Sequence, residues 1–261
     1  MLKILKRIAL IIVLFYFVIM AGLYLKQERL LFLPDQLSAD HQYRKGVEHK
    51  IQIDDGIELS AYYHKSPDAK GLILYLHGNK GSIRRCIRQA DMLDGNGYDI
   101  LMPDYRSYGK SEGSIESEAQ MLSDMQKVYD HALTMYDESQ IVVMGYSMGS
   151  GMASYLAAQN DPQQLFLVSP YKSLIDVIWR RFPLIPSFVV KYHFSSYDFL
   201  QKVTCPITVF YATDDTVIPA ASSLTLKESN ASIEFHELVN TSHRGAIFHG
   251  KIRDELGKKL K

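Results

Sequence analysis

Apolar and polar positions alternate along most of the chain, but not at its amino end. Residues 8–25, IALIIVLFYFVIMAGLYL, carry no charge. At about 1.5 Å rise per residue, a helix of that length spans roughly 27 Å and just crosses the hydrocarbon core of a bilayer. Lys6 and Arg7 before it, and Lys26 and Arg29 after it, can reach the two interfaces. Residues 26–46 show no sustained period and read as a linker. Beyond them, short β-type runs alternate with helix-period segments. Residues 49–54 and 57–64, separated by Asp55-Gly56, predict a hairpin, because Asp-Gly supplies the positive φ angles of a tight turn. Buried-strand runs follow at 71–76, 98–102, 140–144 and 165–168, with later strands at 207–211 and 232–238. Helical spacing marks 83–93, 116–136, 148–159 and a last helix at about 245–260. This alternation predicts a mostly parallel sheet covered by helices on both faces. Residues 170–203, aromatic-rich and interrupted by Pro183 and Pro186, break the pattern and read as a short helical cap over the strand ends, where ligands bind.

Charge sharpens this division. The 261 residues hold 29 Lys+Arg and 29 Asp+Glu, a formal net charge of zero, so the basic surplus of a nucleic-acid partner is missing. The first 25 residues hold Lys3, Lys6 and Arg7 and no acid, leaving 26 basic and 29 acidic groups in the rest. With 47% hydrophobic residues, the chain as a whole has the composition of a packed protein, not a disordered one. The amino end could be an uncleaved membrane anchor, a cleaved signal peptide or a core helix. Ile19-Met20-Ala21 would put a bulky Ile at the −3 position of a cleavage site, so an anchor at 1–25 is the expected form. The positive charges before the helix predict a cytoplasmic amino terminus and an outward-facing body, periplasmic in a bacterium. Cys86 and Cys205 have no partner at CxxC spacing, which excludes a disulfide scaffold and a zinc ribbon; both read as small buried hydrophobes.

The chemistry concentrates in Gly145-Tyr146-Ser147-Met148-Gly149. This GxSxG follows the β-run 141–144 and opens a helix-prone segment, the context a nucleophilic serine needs. Glycines two positions either side remove the Cβ atoms that would collide with strand and helix, and the hydroxyl projects near the positive end of the helix dipole. A serine needs a base. Among the histidines that follow the candidate acids, His236 falls in a strand pattern and His249 in a helix pattern, whereas His243 lies in a polar loop. His243 is therefore the expected base. Asp214 or Asp215, in the loop after strand 207–211, could orient it. The oxyanion donors expected are the backbone N–H groups of Met148 and of Asn79, the latter in the glycine-flanked loop His77-Gly78-Asn79-Lys80-Gly81. His77 reads as a structural strand-end group.

These residues resemble the α/β-hydrolases, and among them the single-pass, membrane-anchored serine hydrolases related to monoacylglycerol-lipase-like and palmitoyl-protein-thioesterase-like enzymes. The resemblance runs through residues 27–34 (QERLLFLP), His77-Gly78-Asn79, residues 104–111 (DYRSYGKS), the serine turn, Ser169-Pro170-Tyr171 and residues 215–219 (DTVIP) with His243. It implies an eight-stranded sheet, a single hydrolase domain over 47–261 with the cap at 170–203, and Asp215 rather than Asp214 as the acid. Ala212 and Ser242 stand where the family often has glycine, and Ser107 replaces a glycine usual after the arginine of this loop. The expected activity is cleavage of carboxylic esters or thioesters of acyl or lipid-like substrates by a Ser147-His243-Asp215 triad through an acyl-enzyme, without metal or organic cofactor. The alternatives are a peptidase or acyltransferase on the same triad, or an idle membrane-tethered binding protein.

Overall fold

The computed structural model describes residues 1–260. Eight strands form one sheet: β1 (Val47–Asp54), β2 (Ile57–His64), β3 (Leu72–Leu76), β4 (Asp99–Pro103), β5 (Ile141–Tyr146), β6 (Gln164–Val168), β7 (Ile207–Ala212) and β8 (Glu234–Leu238). Their spatial order is β8-β7-β6-β5-β3-β4-β2-β1. β1 and β2 pair antiparallel, as do β2 and β4, and every other pairing is parallel. The eight-stranded, mostly parallel sheet expected from the sequence is thus present. Asp55-Gly56 makes the β1–β2 turn, with Gly56 at φ +74°.

Alternate residues of each strand feed two separate cores. Leu72, Leu74 and Leu76 of β3 face Met125 and Tyr129 of α4 (Glu118–Leu133) and Met152 and Leu156 of α5 (Met148–Gln159). Ile73 and Tyr75 face Ile83, Cys86 and Ala90 of α3 (Ile83–Leu93) and Ile252 and Leu256 of α10 (Gly250–Lys259). Burial on both faces explains why these strands read as continuous apolar runs. β3 lies between β4 and β5, so the chain winds outward in both directions from it. The loops after β3 and β5 flank that switch point, where open α/β sheets place ligands.

The remaining helices are α1 (Leu2–Leu25), α2 (Gln27–Leu31), α6 (Leu174–Arg181), α7 (Ser196–Leu200), α8 (Ala220–Leu224) and α9 (His243–Ala246). α1 is long and apolar enough to cross a membrane and has no buried residue. Only Tyr16, Met20 and Leu23, at helical spacing along one stripe, are partly covered. The segment read as a linker, 26–46, is docked on the body. Gln27 is buried, and Leu33–Pro34 pairs in parallel with Lys80–Gly81. The segment 170–203 divides: α6 reaches over the switch point, while α7 packs against α5. The single last helix expected at 245–260 is two, because the chain turns at 247–249 before α10 starts.

Ser107 adopts φ +67°, a left-handed conformation that costs a non-glycine residue about 1–2 kcal/mol. Neighbouring Arg106 holds the loop with two hydrogen bonds to the buried Asp124 carboxylate, at 2.7 and 2.8 Å. Both cysteines are buried, and burial raises both thiols, Cys205 to about 12.

A histidine pair joins the hairpin to α4. The Nε2 atoms of His49 and His131 lie 2.7 Å apart, and burial together with the His49 charge holds His131 below the ordinary histidine range. The unfolded chain therefore binds protons first, and stability must fall as pH drops below the unfolded value of about 6.5. The Tm difference between wild type and His131→Gln should shift against the wild type from about pH 7.5 to 5.5. A difference independent of pH would contradict this.

Candidate active site

Strand β5 runs straight into α5 with one residue between them, Ser147, at φ +52° and ψ −121°. Such backbone angles are costly for a residue with a side chain and persist only where the surroundings enforce them. Here the enforcement is close packing. A Cβ on Gly145 would lie 2.6 Å from the Ala153 Cβ and 2.5 Å from the Gly149 carbonyl oxygen, and one on Gly149 would lie 2.1 Å from the Leu76 carbonyl oxygen. The Ser147 N–H donates to the Val168 carbonyl at 3.0 Å, and its own carbonyl accepts from the Ser150 hydroxyl at 2.6 Å. The strand–helix junction is thereby pinned on both sides, and the Ser147 side chain is turned outward at the sheet's C-terminal edge.

The three side chains singled out in the sequence meet there. Ser147 Oγ lies 2.9 Å from His243 Nε2, and His243 Nδ1 lies 2.7 Å from Asp215 Oδ2. His243 occupies the first turn of the short helix α9, not a free loop. Its ring stacks on Tyr146 with centroids 5.4 Å apart, and the Tyr146 hydroxyl donates to the His243 carbonyl at 2.9 Å. The other oxygen of Asp215 accepts from the N–H groups of Val217, at 2.9 Å, and Ile218, at 2.7 Å. Burial opposes ionisation of Asp215, but the His243 ring and those two N–H groups outweigh it and hold the carboxyl below the usual aspartate range. Asp214 is exposed and bonds to Thr213, away from the histidine.

Met148 is the first residue of α5, so its N–H has no acceptor within the helix. Asn79 is held by its side chain, which donates to the Leu31 carbonyl at 2.9 Å, and by its carbonyl, which accepts from Leu33 N–H and the Tyr108 hydroxyl. Its own N–H donates to no group among the described residues. Both residues line the same pocket as Ser147. His77 is fully buried and packs at a tilt against Tyr105, with its Nε2 3.3 Å from Asp104. Its ring makes no hydrogen bond to Ser147.

Two spaces open beside the Ser147 hydroxyl. One, of about 90 Å³, is apolar and lined by Leu31, Met148, Tyr171, Leu174, Val177 and Ile218. The other, of about 460 Å³, is lined by Lys80, Arg85, Gln89, Tyr146, His243 and Arg244 among others, with no carboxylate in its wall. Neither Leu31 nor this cationic wall was read as part of the site from sequence. The wall is assembled from the loop after β3, the start of α3 and the start of α9, and only the repeated basic residues at 84–88 hint at it. One cluster with ligand-like geometry, Glu234, His236 and Glu255, lies on β8 and α10 outside both spaces. Its two carboxylates are paired with Lys259 and Lys258.

The glycine clearances yield a direct test. Gly149→Ala must move the junction or the β3 end, costing about 1–3 kcal/mol, an amount typical of overpacking. It should lower Tm by several degrees while Gly250→Ala, in open space, does not. Equal Tm values would contradict the packing described.

Comparison with known proteins agrees with this architecture. A family model described as serine aminopeptidase, S33, matches residues 67–192. The lysophosphatidylserine lipase ABHD12 of Xenopus tropicalis is 28% identical over 238 residues, covering 77% of this chain and 61% of that protein. The chain thus spans about three fifths of the length of that relative. An uncharacterized protein of Mycobacterium tuberculosis is 29% identical over 206 residues, covering 76% of this chain and 73% of the other. Among solved structures, the Pyrococcus furiosus esterase Pf2001 superposes with a TM-score of 0.69 at 17% identity, covering 88% of this chain and 97% of that one. Est1E from Butyrivibrio proteoclasticus gives 0.64 at 18% identity, covering 80% and 96%. With its sheet order and its serine turn, the chain has the α/β-hydrolase fold, and in sequence it is similar to serine hydrolases built on that fold.

Proposed function

We propose that the protein is a serine hydrolase that cleaves carboxylic ester or thioester bonds of acyl or lipid-like substrates. The observation that carries this is the unbroken hydrogen-bond chain from Ser147 through His243 to Asp215, ending at an apolar pocket. As Ser147 Oγ attacks the carbonyl carbon, His243 Nε2 takes its proton, and the ionised Asp215 stabilises the resulting imidazolium and fixes the ring. The negative charge that builds on the carbonyl oxygen is met by the N–H groups of Met148 and Asn79. His243 then returns the proton to the departing alcohol or thiol, leaving an acyl-enzyme. Water, deprotonated by the same nitrogen, releases the acid and restores Ser147.

The two spaces divide the substrate. The apolar one suits an acyl chain, and the larger, cation-lined one suits a polar or anionic leaving group. The frog relative is named for lysophosphatidylserine, a molecule with one acyl ester and an anionic head, which fits this division. The match to the serine aminopeptidase description favours a peptidase as a second reading. Against it stands the absence of any carboxylate in either lining to hold an α-ammonium group. The full set of Ser147, His243 and Asp215 weighs against an idle binding protein. We further infer that α1 anchors the protein as a single span with the amino terminus in the cytoplasm and the hydrolase domain outward, since Lys3, Lys6 and Arg7 precede it.

A fluorophosphonate probe should label the wild type and not Ser147→Ala; equal labelling of both would sink the reading. Asp215→Asn should lower kcat by on the order of ten-thousandfold, whereas Asp214→Asn leaves it near wild type. Against p-nitrophenyl esters of graded chain length and aminoacyl amides, turnover should be confined to the esters, and amide turnover would favour the peptidase. Arg244→Ala should raise KM for an anionic-headed monoacyl ester by up to about fivefold, the worth of one exposed ion pair, and leave KM for a neutral ester unchanged.

A further inference from the structure

We propose that the tip of the cap, residues 182–188, lies within the membrane beside α1. The groove between them is then the port through which acyl chains of bilayer-resident substrates reach Ser147. This deepens, and rests on, the ester-hydrolase reading.

Depth is the first argument. The Tyr16 hydroxyl of α1 donates to the Leu184 carbonyl at 2.9 Å. Tyr16 lies nine residues before Leu25, about 13 Å along a helix axis. Lys26 marks the level at which α1 leaves the hydrocarbon, so a cap atom bonded to Tyr16 lies well inside it.

The tip is built for that medium. Its sequence, Phe-Pro-Leu-Ile-Pro-Ser-Phe, has no charge, and Leu184 and Phe188 are each 80% exposed on the protein. Irregular backbone is tolerated in hydrocarbon only when its polar groups are satisfied within the protein. Two of the seven residues are prolines without an N–H. Five of the seven tip carbonyls are satisfied, those of Phe182, Pro186 and Ser187 by the backbone and those of Leu184 and Ile185 by Tyr16 and Trp179, while the carbonyls of Pro183 and Phe188 and the N–H groups of Leu184, Ser187 and Phe188 have no partner among the described residues. Arg180, Arg181 and Lys191 flank the tip, at positions from which their heads can return to the interface.

The port follows from the same contacts. A groove of about 310 Å³ is lined by Leu23 at the end of α1, Leu30 and Leu31 of α2, and Ile178, Phe182 and Ile185 of the cap. Leu31 also lines the pocket at Ser147, so the two apolar spaces share a wall. Their relative position is fixed by buried Gln27, whose side-chain amide donates to the Val189 carbonyl at 2.8 Å and accepts from the Lys191 N–H at 2.7 Å. Lys191 and Tyr192 both donate to Glu28 at 3.0 Å. In this proposal an acyl chain entering from the bilayer passes Leu31, the residue the two spaces share, and need not cross water.

Trp179, the only tryptophan, donates to the Ile185 carbonyl at 2.8 Å and reports on the tip without labelling. In full-length protein reconstituted into phosphatidylcholine liposomes, lipids brominated on their acyl chains should reduce its fluorescence by about twofold, as for an aromatic residue at membrane level. Unquenched emission would overturn the insertion, with no variant required. The double substitution Leu184→Asp and Phe188→Asp should leave hydrolysis of p-nitrophenyl butyrate unchanged and lower that of a long-chain monoacylglycerol in liposomes by about tenfold or more. Loss on both substrates alike, or on neither, would overturn the port. If the wild type cleaves neither substrate, the ester reading is what has failed, and the port falls with it, while Trp179 quenching still decides whether the tip is inserted.

Discussion

Everything at the site depends on how β5 is joined to α5. One residue makes the junction, and it can do so only with a positive φ, because the helix must turn back onto the sheet within van der Waals contact of β3. The carbonyl of Leu76 leaves no room for a Cβ at position 149, and Ala153 leaves none at position 145. Two glycines therefore allow the approach, and a serine takes the strained position between them. The same junction sets the hydroxyl at the strand end and frees the first N–H of the helix, so the candidate nucleophile and one candidate oxyanion donor come from a single backbone event.

The other parts are brought to this point by neighbouring strand ends. Asp215 follows β7, His243 follows β8, and Asn79 follows β3, all at the C-terminal edge of the parallel strands. Local contacts then fix what the topology has brought close. Asp215 is held in its ionised form by backbone donors on one oxygen and the imidazole on the other. Tyr146, adjacent to the serine, stacks on the imidazole of His243 and bonds its backbone, so the turn that carries the hydroxyl also positions the candidate base.

Much of this was legible in the amino-acid order because it is local. A GxSxG between a β-branched run and a helix-prone run has one economical structure, and Asp-Gly between two alternating runs has one economical turn. Asp214 and Asp215 were not separable by position alone, since both sit in the same loop. What distinguishes them is burial and two backbone donors, which only the folded loop supplies. The docking of 26–46 was also invisible to periodicity, because its key contact is a single buried glutamine bridging to residues more than 160 positions away. Likewise the cationic wall beside Ser147 joins Lys80, Arg85 and Arg244, which share no pattern along the chain. A four-residue helix is too short to leave a period, so the sequence shows only a polar loop where His243 opens α9.

The zero net charge of the chain is the sum of two unlike parts, a basic apolar helix and a slightly acidic remainder, and residues 182–188 touch both. The central claim is that Ser147 becomes acylated during turnover. Brief incubation with p-nitrophenyl octanoate, acid quench and peptide mass analysis measures this directly. An octanoyl adduct is expected on the peptide containing Ser147 and none in Ser147→Ala; an unmodified Ser147 peptide during active turnover, or an adduct elsewhere, would contradict acylation of Ser147.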